Sequence, residues 1–145
     1  MSEVFRIVYC SRNAIGRDAA GRDLEQILAA ARRNNAQVGV TGALLYSKGF
    51  FAQVLEGPFE AVQQVFERIQ IDHRHTDVVI LTAENVTDRN FADWDMAYAE
   101  PRDPVEVNAT LSRALATSTT VSGASVLRLL DSVVRRQDVY RGMPA

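Results

Sequence analysis

The sequence has one cysteine, Cys10, and one lysine, Lys48, among its 145 residues. A lone thiol cannot form an intrachain disulfide, which suits a reducing compartment. Arginine supplies the rest of the positive charge, and the net charge is -2. The clustered basic residues that non-specific nucleic-acid binding needs are missing. No apolar run reaches about 18 residues, so no membrane-spanning helix is expected. The opening stretch MSEVFRIVYCSRN lacks a basic segment followed by an apolar one, so a secretory signal is not expected either. There is no internal repeat and no long low-complexity tract. The expectation is a cytoplasmic chain with neither nucleic acid nor membrane as partner. With 47% hydrophobic and 23% charged residues, wholesale disorder is excluded, and the length suits one domain with a full core.

Residues 4–10, VFRIVYC, alternate Phe5, Ile7 and Tyr9 with Val4, Arg6, Val8 and Cys10, which predicts a strand. A polar connection, SRNAIGRDAAG, follows. Leu24, Ile27, Leu28 and Ala31 recur at helical spacing, and that helix is expected to end near Asn34 and Asn35. Val40–Tyr46 and Phe50–Glu56 read as strands of a hairpin joined by Ser47, Lys48 and Gly49. Pro58 suits the first turn of a second helix, carried by Val62, Val65, Phe66 and Ile69 and closed by Asp72-His73-Arg74-His75. Val78–Leu81 is a short β-branched strand. Trp94, Met96 and Tyr98, alternating with Asp95 and Ala97, predict a fifth strand with Trp94 and Met96 on one face.

The order is β-α-β-β-α-β with a further strand, the ferredoxin-like arrangement of the α+β class. Both helices should cover one face of a mostly antiparallel sheet. Beyond about Pro101, Val107, Leu111 and Leu115 form one helical stripe, and Val126, Leu129, Leu130, Val133 and Val134 another, separated by TSTTVSG. These two helices are apolar enough to cover the sheet's other face. They complete the core, make a dimer contact or carry a signal to a partner, and these readings are compatible.

Polar groups on apolar faces point to chemistry. Gln53 lies mid-strand between Phe51 and Leu55. Burying an amide without partners costs about 1–3 kcal/mol, so Gln53 must bond to a side chain or a ligand. Its oxygen and nitrogen are exchangeable by rotation, which reverses donor and acceptor. Tyr9 shares a face with Phe5 and Ile7 and needs a partner for its hydroxyl. If the register is as read, Tyr9 and Gln53 point to the same helical layer. Asn34 and Asn35 either cap a helix or read a ring that carries donors and acceptors. Trp94 and Met96 either pack the core or, since Met is flexible and polarizable, exchange places near an aromatic site.

Other chemistries have little support. His73 and His75 are two apart at a helix end with no cysteine pair, a poor zinc signature. Cys10 has no adjacent basic partner. Glu56 reads as a strand end, without a paired carboxylate. Gly39, Gly42 and Gly49 do not form a phosphate loop. Arg12 and Asn13, after the first strand, would serve a small acylphosphatase-type hydrolase only if they converged on an anion. The chain is not expected to be an enzyme.

The segments RIVYCSRN, NNAQVGVTGALLYSKGFFAQVLEGP, DHRHTDV and FADWDMAY together resemble the BLUF family of flavin-dependent blue-light sensors, over roughly residues 4–100. The resemblance implies a ferredoxin-like domain that holds a flavin, usually FAD, between its two helices; FMN and riboflavin share the same ring. It implies that Tyr9 is the photochemical tyrosine and Gln53 the switching glutamine. Asn35 and Asn34 would bond the polar edge of the ring, Arg74 and His75 would lie near its edge or ribityl chain, and Ile27 and Phe51 would be its apolar walls. Trp94 and Met96 match a pair whose positions near the glutamine vary within the family.

The implied mechanism is light-driven electron and proton transfer from Tyr9 and back, during which Gln53 changes its hydrogen bonds and the absorption moves to the red. Residues 1–100 would be the sensor domain and residues 101–145 a helical extension acting as cap, dimer contact or signalling element. About 45 residues are too few for an output enzyme. The expected partners are therefore the flavin, an effector in a separate chain and a second copy of the protein.

Overall fold

The computed structural model describes residues 4–15, 20–94, 96–101, 103–117 and 120–135. The elements are β1 (Val4–Asn13), α1 (Ala20–Val38), β2 (Thr41–Ser47), β3 (Phe50–Gly57), α2 (Phe59–Gln70), β4 (His75–Val86), β5 (Ala97–Ala99), α3 (Pro104–Thr117) and α4 (Thr120–Arg135). The strands lie in the order β4-β1-β3-β2-β5. Their pairings are antiparallel except that β5 joins β2 in parallel. This is the expected ferredoxin-like α+β order with a fifth strand.

Period-two alternation sends the central strands' side chains into two separate cores. Ile7, Tyr9, Leu44, Phe51 and Leu55 face α1 and α2, where Leu24, Leu28, Val62, Val65 and Phe66 meet them. Val8, Cys10, Ala43, Leu45, Ala52 and Val54 face α3 and α4, against Leu111, Val126, Leu130 and Val134. The C-terminal helices therefore pack on the opposite face of the sheet, as their apolar stripes require. Each large apolar side chain buried this way stabilises the fold by about 1.5–3 kcal/mol. Because β1 and β3 are covered on both faces, they read as nearly continuous apolar runs.

Several boundaries differ from the sequence reading, each for a local reason. Helix α1 passes through Asn34 and Asn35 and ends at Val38. Gly39, at φ 75°, provides the left-handed residue, and Val40 N donates back to Asn35 O at 3.0 Å. That backbone closure ends the helix, so neither asparagine is its cap. The β2–β3 turn is tighter than expected, since Ser47 pairs with Phe50 across Lys48 and Gly49.

Pro58 is the N-cap of α2 and not a residue of its first turn. Strand β4 is much longer than Val78–Leu81. It is an edge strand whose outer residues, such as Glu84 and Asn85, are exposed, so no apolar pattern marks it. Helix α4 begins at Thr120, before Gly123, which lies where the helix presses on β4: a Cβ there would stand 2.0 Å from Thr82 Oγ1. Strand β5 begins only at Ala97; Asp95 and parts of the expected SRNAIGRDAAG and TSTTVSG connections lie outside the described residues. Among the described residues, no helix is long and apolar enough to cross a membrane.

Candidate functional site

A cavity of about 650 Å³ opens between α1, α2 and the sheet. The sheet forms its floor, because β1 and β3 pair with Tyr9 opposite Gln53. The two side chains thus stand side by side on one face. The Tyr9 hydroxyl donates to Gln53 Oε1. The other end of the amide, Nε2, donates to the sulfur of Met96 at 3.3 Å. All three residues are buried. Phe66 and His75 hold the Tyr9 ring, at centroid distances of 5.4 and 6.1 Å.

The phenol's pKa is pushed well up, chiefly by burial and then by electrostatic interaction with Asp72 and with Cys10. Tyr9 is accordingly a neutral donor across the ordinary pH range. On the opposite face of β1, burial raises the Cys10 thiol to about 11, so it has no nucleophilic character at neutral pH.

The walls come from the helices. Helical spacing puts Ile27, Ala31, Asn34 and Asn35 of α1 along the cavity, facing Val65 and Ile69 of α2. Phe51 and Leu44 add apolar surface from the sheet. At the far end, Arg74 and Asp72 form a two-pronged ion pair, Nε to Oδ1 at 2.9 Å and Nη2 to Oδ2 at 2.6 Å. The pair's hydrogen bonds hold the Asp72 carboxyl below its ordinary pKa and raise that of the Arg74 guanidinium.

His75 Nε2 lies 2.7 Å from Ile69 O, and its Nδ1 lies 2.8 Å from Ser11 Oγ. A carbonyl only accepts, so Nε2 carries a proton, and in the neutral ring Nδ1 accepts from the serine. His75 thereby ties β4 to α2 and β1 and lines the cavity with its ring.

The cavity brings together Tyr9, Ile27, Asn34, Asn35, Phe51, Gln53, Arg74 and His75. Met96 joins them through Gln53. Trp94 does not. It packs on the α3/α4 side, against Phe91 and Arg135, so the expected common face with Met96 is corrected. The alternation fails because the chain turns at residues 91–93 ahead of Trp94 and becomes a strand only at Ala97.

Arg12 and Asn13 do not converge on an anion site. Arg12 pairs with Asp77 at 3.3 Å, and Asn13 Oδ1 accepts from Ile15 N at 2.7 Å. Among the described residues, no group of three or more His, Cys, Asp or Glu side chains is placed to hold a metal ion.

Two polar contacts escaped the sequence reading. Arg32 donates Nε and Nη2 to the Met96 carbonyl, at 3.1 and 3.0 Å, tying α1 to the segment beside Gln53. Glu56, read as a strand end, is a fully buried carboxylate. It accepts from Arg6 Nε at 2.8 Å and from the amides of Asn90 and Phe91 at 2.9 Å. The signal available for Glu56 was a charge three residues beyond Gln53 in an otherwise apolar strand. For Arg32 there was none beyond its nearness to Asn34 and Asn35.

Apolar walls, a row of amides along one side and a buried phenol–amide pair at the floor suit a flat ring whose edge carries donors and acceptors. The donor set therefore fits a flavin. The fold and the site define a flavin-holding module of the ferredoxin-like class. The family model described as sensors of blue light using FAD, BLUF, matches residues 4–97, and the chain belongs to that family.

The photoactivated adenylate cyclase subunit beta of Euglena longa is 42% identical over 78 residues, which are 53% of this chain and 9% of that protein. The blue light- and temperature-regulated antirepressor BluF of Escherichia coli strain K12 is 36% identical over 85 residues, 59% of this chain and 21% of that one. The chain thus spans about a tenth of the cyclase subunit and a fifth of the antirepressor. Among solved structures, BlrB, a BLUF protein in its dark state, superposes with a TM-score of 0.71 at 30% identity, covering 92% of this chain and 96% of that one. The ground state of BlsA gives a TM-score of 0.74 at 25% identity, covering 92% and 89%. Coverage of that extent takes in C-terminal residues beyond the family match.

Proposed function

We propose that the protein senses blue light through a flavin held between α1 and α2, and that Tyr9 and Gln53 convert absorption into a change of hydrogen bonding that a separate protein reads. The observation that carries this reading is the buried chain Tyr9–Gln53–Met96 at the cavity floor. Asn34 and Asn35 hold the polar edge of the ring, Ile27 and Phe51 its faces, and Arg74 and His75 the end near its side chain. When bound, the flavin supplies absorption of blue light and, once excited, an acceptor for one electron. FAD is the family's cofactor; FMN and riboflavin present the same ring to these residues.

Tyr9 is the donor that the chain provides. Its hydroxyl already points at Gln53 Oε1, so the proton released as the phenol gives up an electron has a receiver within one hydrogen bond. Electron and proton both return, leaving no net charge. Gln53 is left rotated or as the other tautomer. A rotated amide turns Nε2 to Tyr9 and Oε1 to Met96. The thioether has no proton to donate, so the contact with Met96 is lost. Remaking a few hydrogen bonds involves about 1–3 kcal/mol, enough to re-bias a two-state segment but not to unfold it.

Residues 1–100 then act as the sensor, and the change leaves through β5 to residues 101–145, whose helices α3 and α4 pass it on to an effector or a second copy of the chain. In this role the chain responds to light without catalysing a reaction itself. Flavin uptake tests the reading. Purified protein is expected to be yellow and to take up FAD in a one-to-one complex. A colourless protein that does not bind added FAD would refute it.

A further inference from the structure

Trp94 is the chain's one tryptophan. It stands on the α4 side of the sheet, tilted against Phe91 with ring centroids 6.1 Å apart. The guanidinium of Arg135, the last described residue of α4, lies 5.3 Å from the Trp94 ring centroid and 5.7 Å from that of Phe91. Two bonds orient it: Nε donates to Asp131 Oδ1 at 2.6 Å, and Nη2 donates to Asn90 O at 2.8 Å. Asn90 Nδ2 in turn donates to the same Asp131 oxygen at 3.1 Å. From below, the buried Glu56 carboxylate accepts the amides of Asn90 and Phe91. The approach to Trp94 is thus clamped between β3 and the end of α4.

Two residues on, Met96 fills the position beside Gln53. A two-residue shift of this stretch along β2 would bring Trp94 to the position that Met96 holds, at the expense of the bond from Gly42 N to Trp94 O at 3.2 Å. The two side chains would then compete for the place beside Gln53, and the groups that hold Trp94 away would bias the choice.

We propose that Arg135 is a positioning residue. It holds Trp94 on the α4 side, keeps Met96 beside Gln53, and so links the end of α4 to the identity of Gln53's neighbour. This rests on the light-sensor reading for its purpose, though not for its geometry. The link is reciprocal. Expulsion of Met96 from the site loosens Arg135, and a partner that draws Arg135 away loosens Met96.

Trp94 emission in the full chain reads the proposal directly. Releasing a cation from an aromatic face at a partly exposed site shifts the ratio of the two positions by about two- to fivefold. In flavin-loaded Arg135→Gln protein, Trp94 emission should fall through contact with the ring, and the dark flavin absorption maximum should move. Arg135→Lys, which keeps the cation, should restore most of both signals.

Should Arg135→Gln fail to fold, Asp131→Asn, which loosens the guanidinium, should move the same signals in the same direction by less. Wild-type emission and absorption in both Arg135→Gln and Asp131→Asn would overturn the proposal. So would an Arg135→Lys protein no different from Arg135→Gln. If the chain takes up no flavin, the sensor reading fails, and acrylamide quenching of Trp94 still reports on Arg135. Quenching that is the same in wild type and Arg135→Gln would then refute the clamp.

Discussion

Tyr9 and Gln53 are direct partners across the antiparallel pairing of β1 and β3, and the phenol donates to the amide oxygen. Their contact is set by backbone register and does not depend on a loop. Substituting either one is expected to leave the strands paired and the cavity walls in place. Tyr9→Phe and Gln53→Ala proteins are therefore expected to retain flavin and to lose the normal red shift under blue light. Absorption spectra of both variants before and after illumination check this, and a wild-type shift in either contradicts the assigned role.

The Glu56 carboxylate is expected to be a point of high sensitivity. It is fully buried and accepts one side-chain and two backbone donors. In Glu56→Gln the charge opposite Arg6 is lost, and the amide nitrogen cannot accept from a backbone N–H. Breaking one side of a buried pair costs about 3–5 kcal/mol. Urea denaturation should show a loss of that order, with the slope unchanged.

Gly123 tests the docking of α4. A methyl there meets Thr82 Oγ1 at 2.0 Å and Leu81 O at 3.2 Å. Gly123→Ala is expected to destabilise by about 1–3 kcal/mol, as overpacking does. Thr82→Ala should recover most of the loss in the double variant. Thermal melting of the single and double variants decides, and additive losses would place α4 elsewhere.

Alkali should destabilise the fold through two groups. Burial raises the pKa of Cys10 from 9.0 to about 11, and that of Tyr9 is raised above its ordinary 10.0. For each, the folded state keeps a proton that the unfolded chain loses. Their contribution is complete below the unfolded pKa and is lost as pH rises towards the folded value. The melting temperature should therefore fall from about pH 9 upwards. Cys10→Ala should flatten the fall between pH 9 and 11, and Tyr9→Phe the fall above pH 10. Asp72 acts in the opposite sense. Its lowered pKa makes the pair with Arg74 stabilising above the ordinary carboxylate range, an effect lost as pH falls below about 4.

Much of this was legible in the sequence because burial leaves periodic traces. Gln53 stood out as an amide between Phe51 and Leu55, and the two helical stripes marked α1 and α2. The C-terminal helices showed the surface they needed to cover. What was not legible came from contacts between segments far apart in the chain. Glu56 looks like a strand end until Asn90 and Phe91 arrive, and Arg32 looks like surface charge until the Met96 carbonyl does. Trp94 was misplaced because alternation holds only inside a strand, and β5 starts three residues later. Asn34 and Asn35 looked like caps because asparagine often ends helices, whereas Gly39 closes this one.

The central claim is that light rearranges the Tyr9–Gln53 pair around a bound flavin, and a light-minus-dark absorption spectrum tests it most directly. After a blue flash, the flavin band of the wild-type protein should move to longer wavelength with its shape preserved, and return fully in the dark. A flavin-loaded protein whose band stays put, or bleaches without returning, would contradict the account.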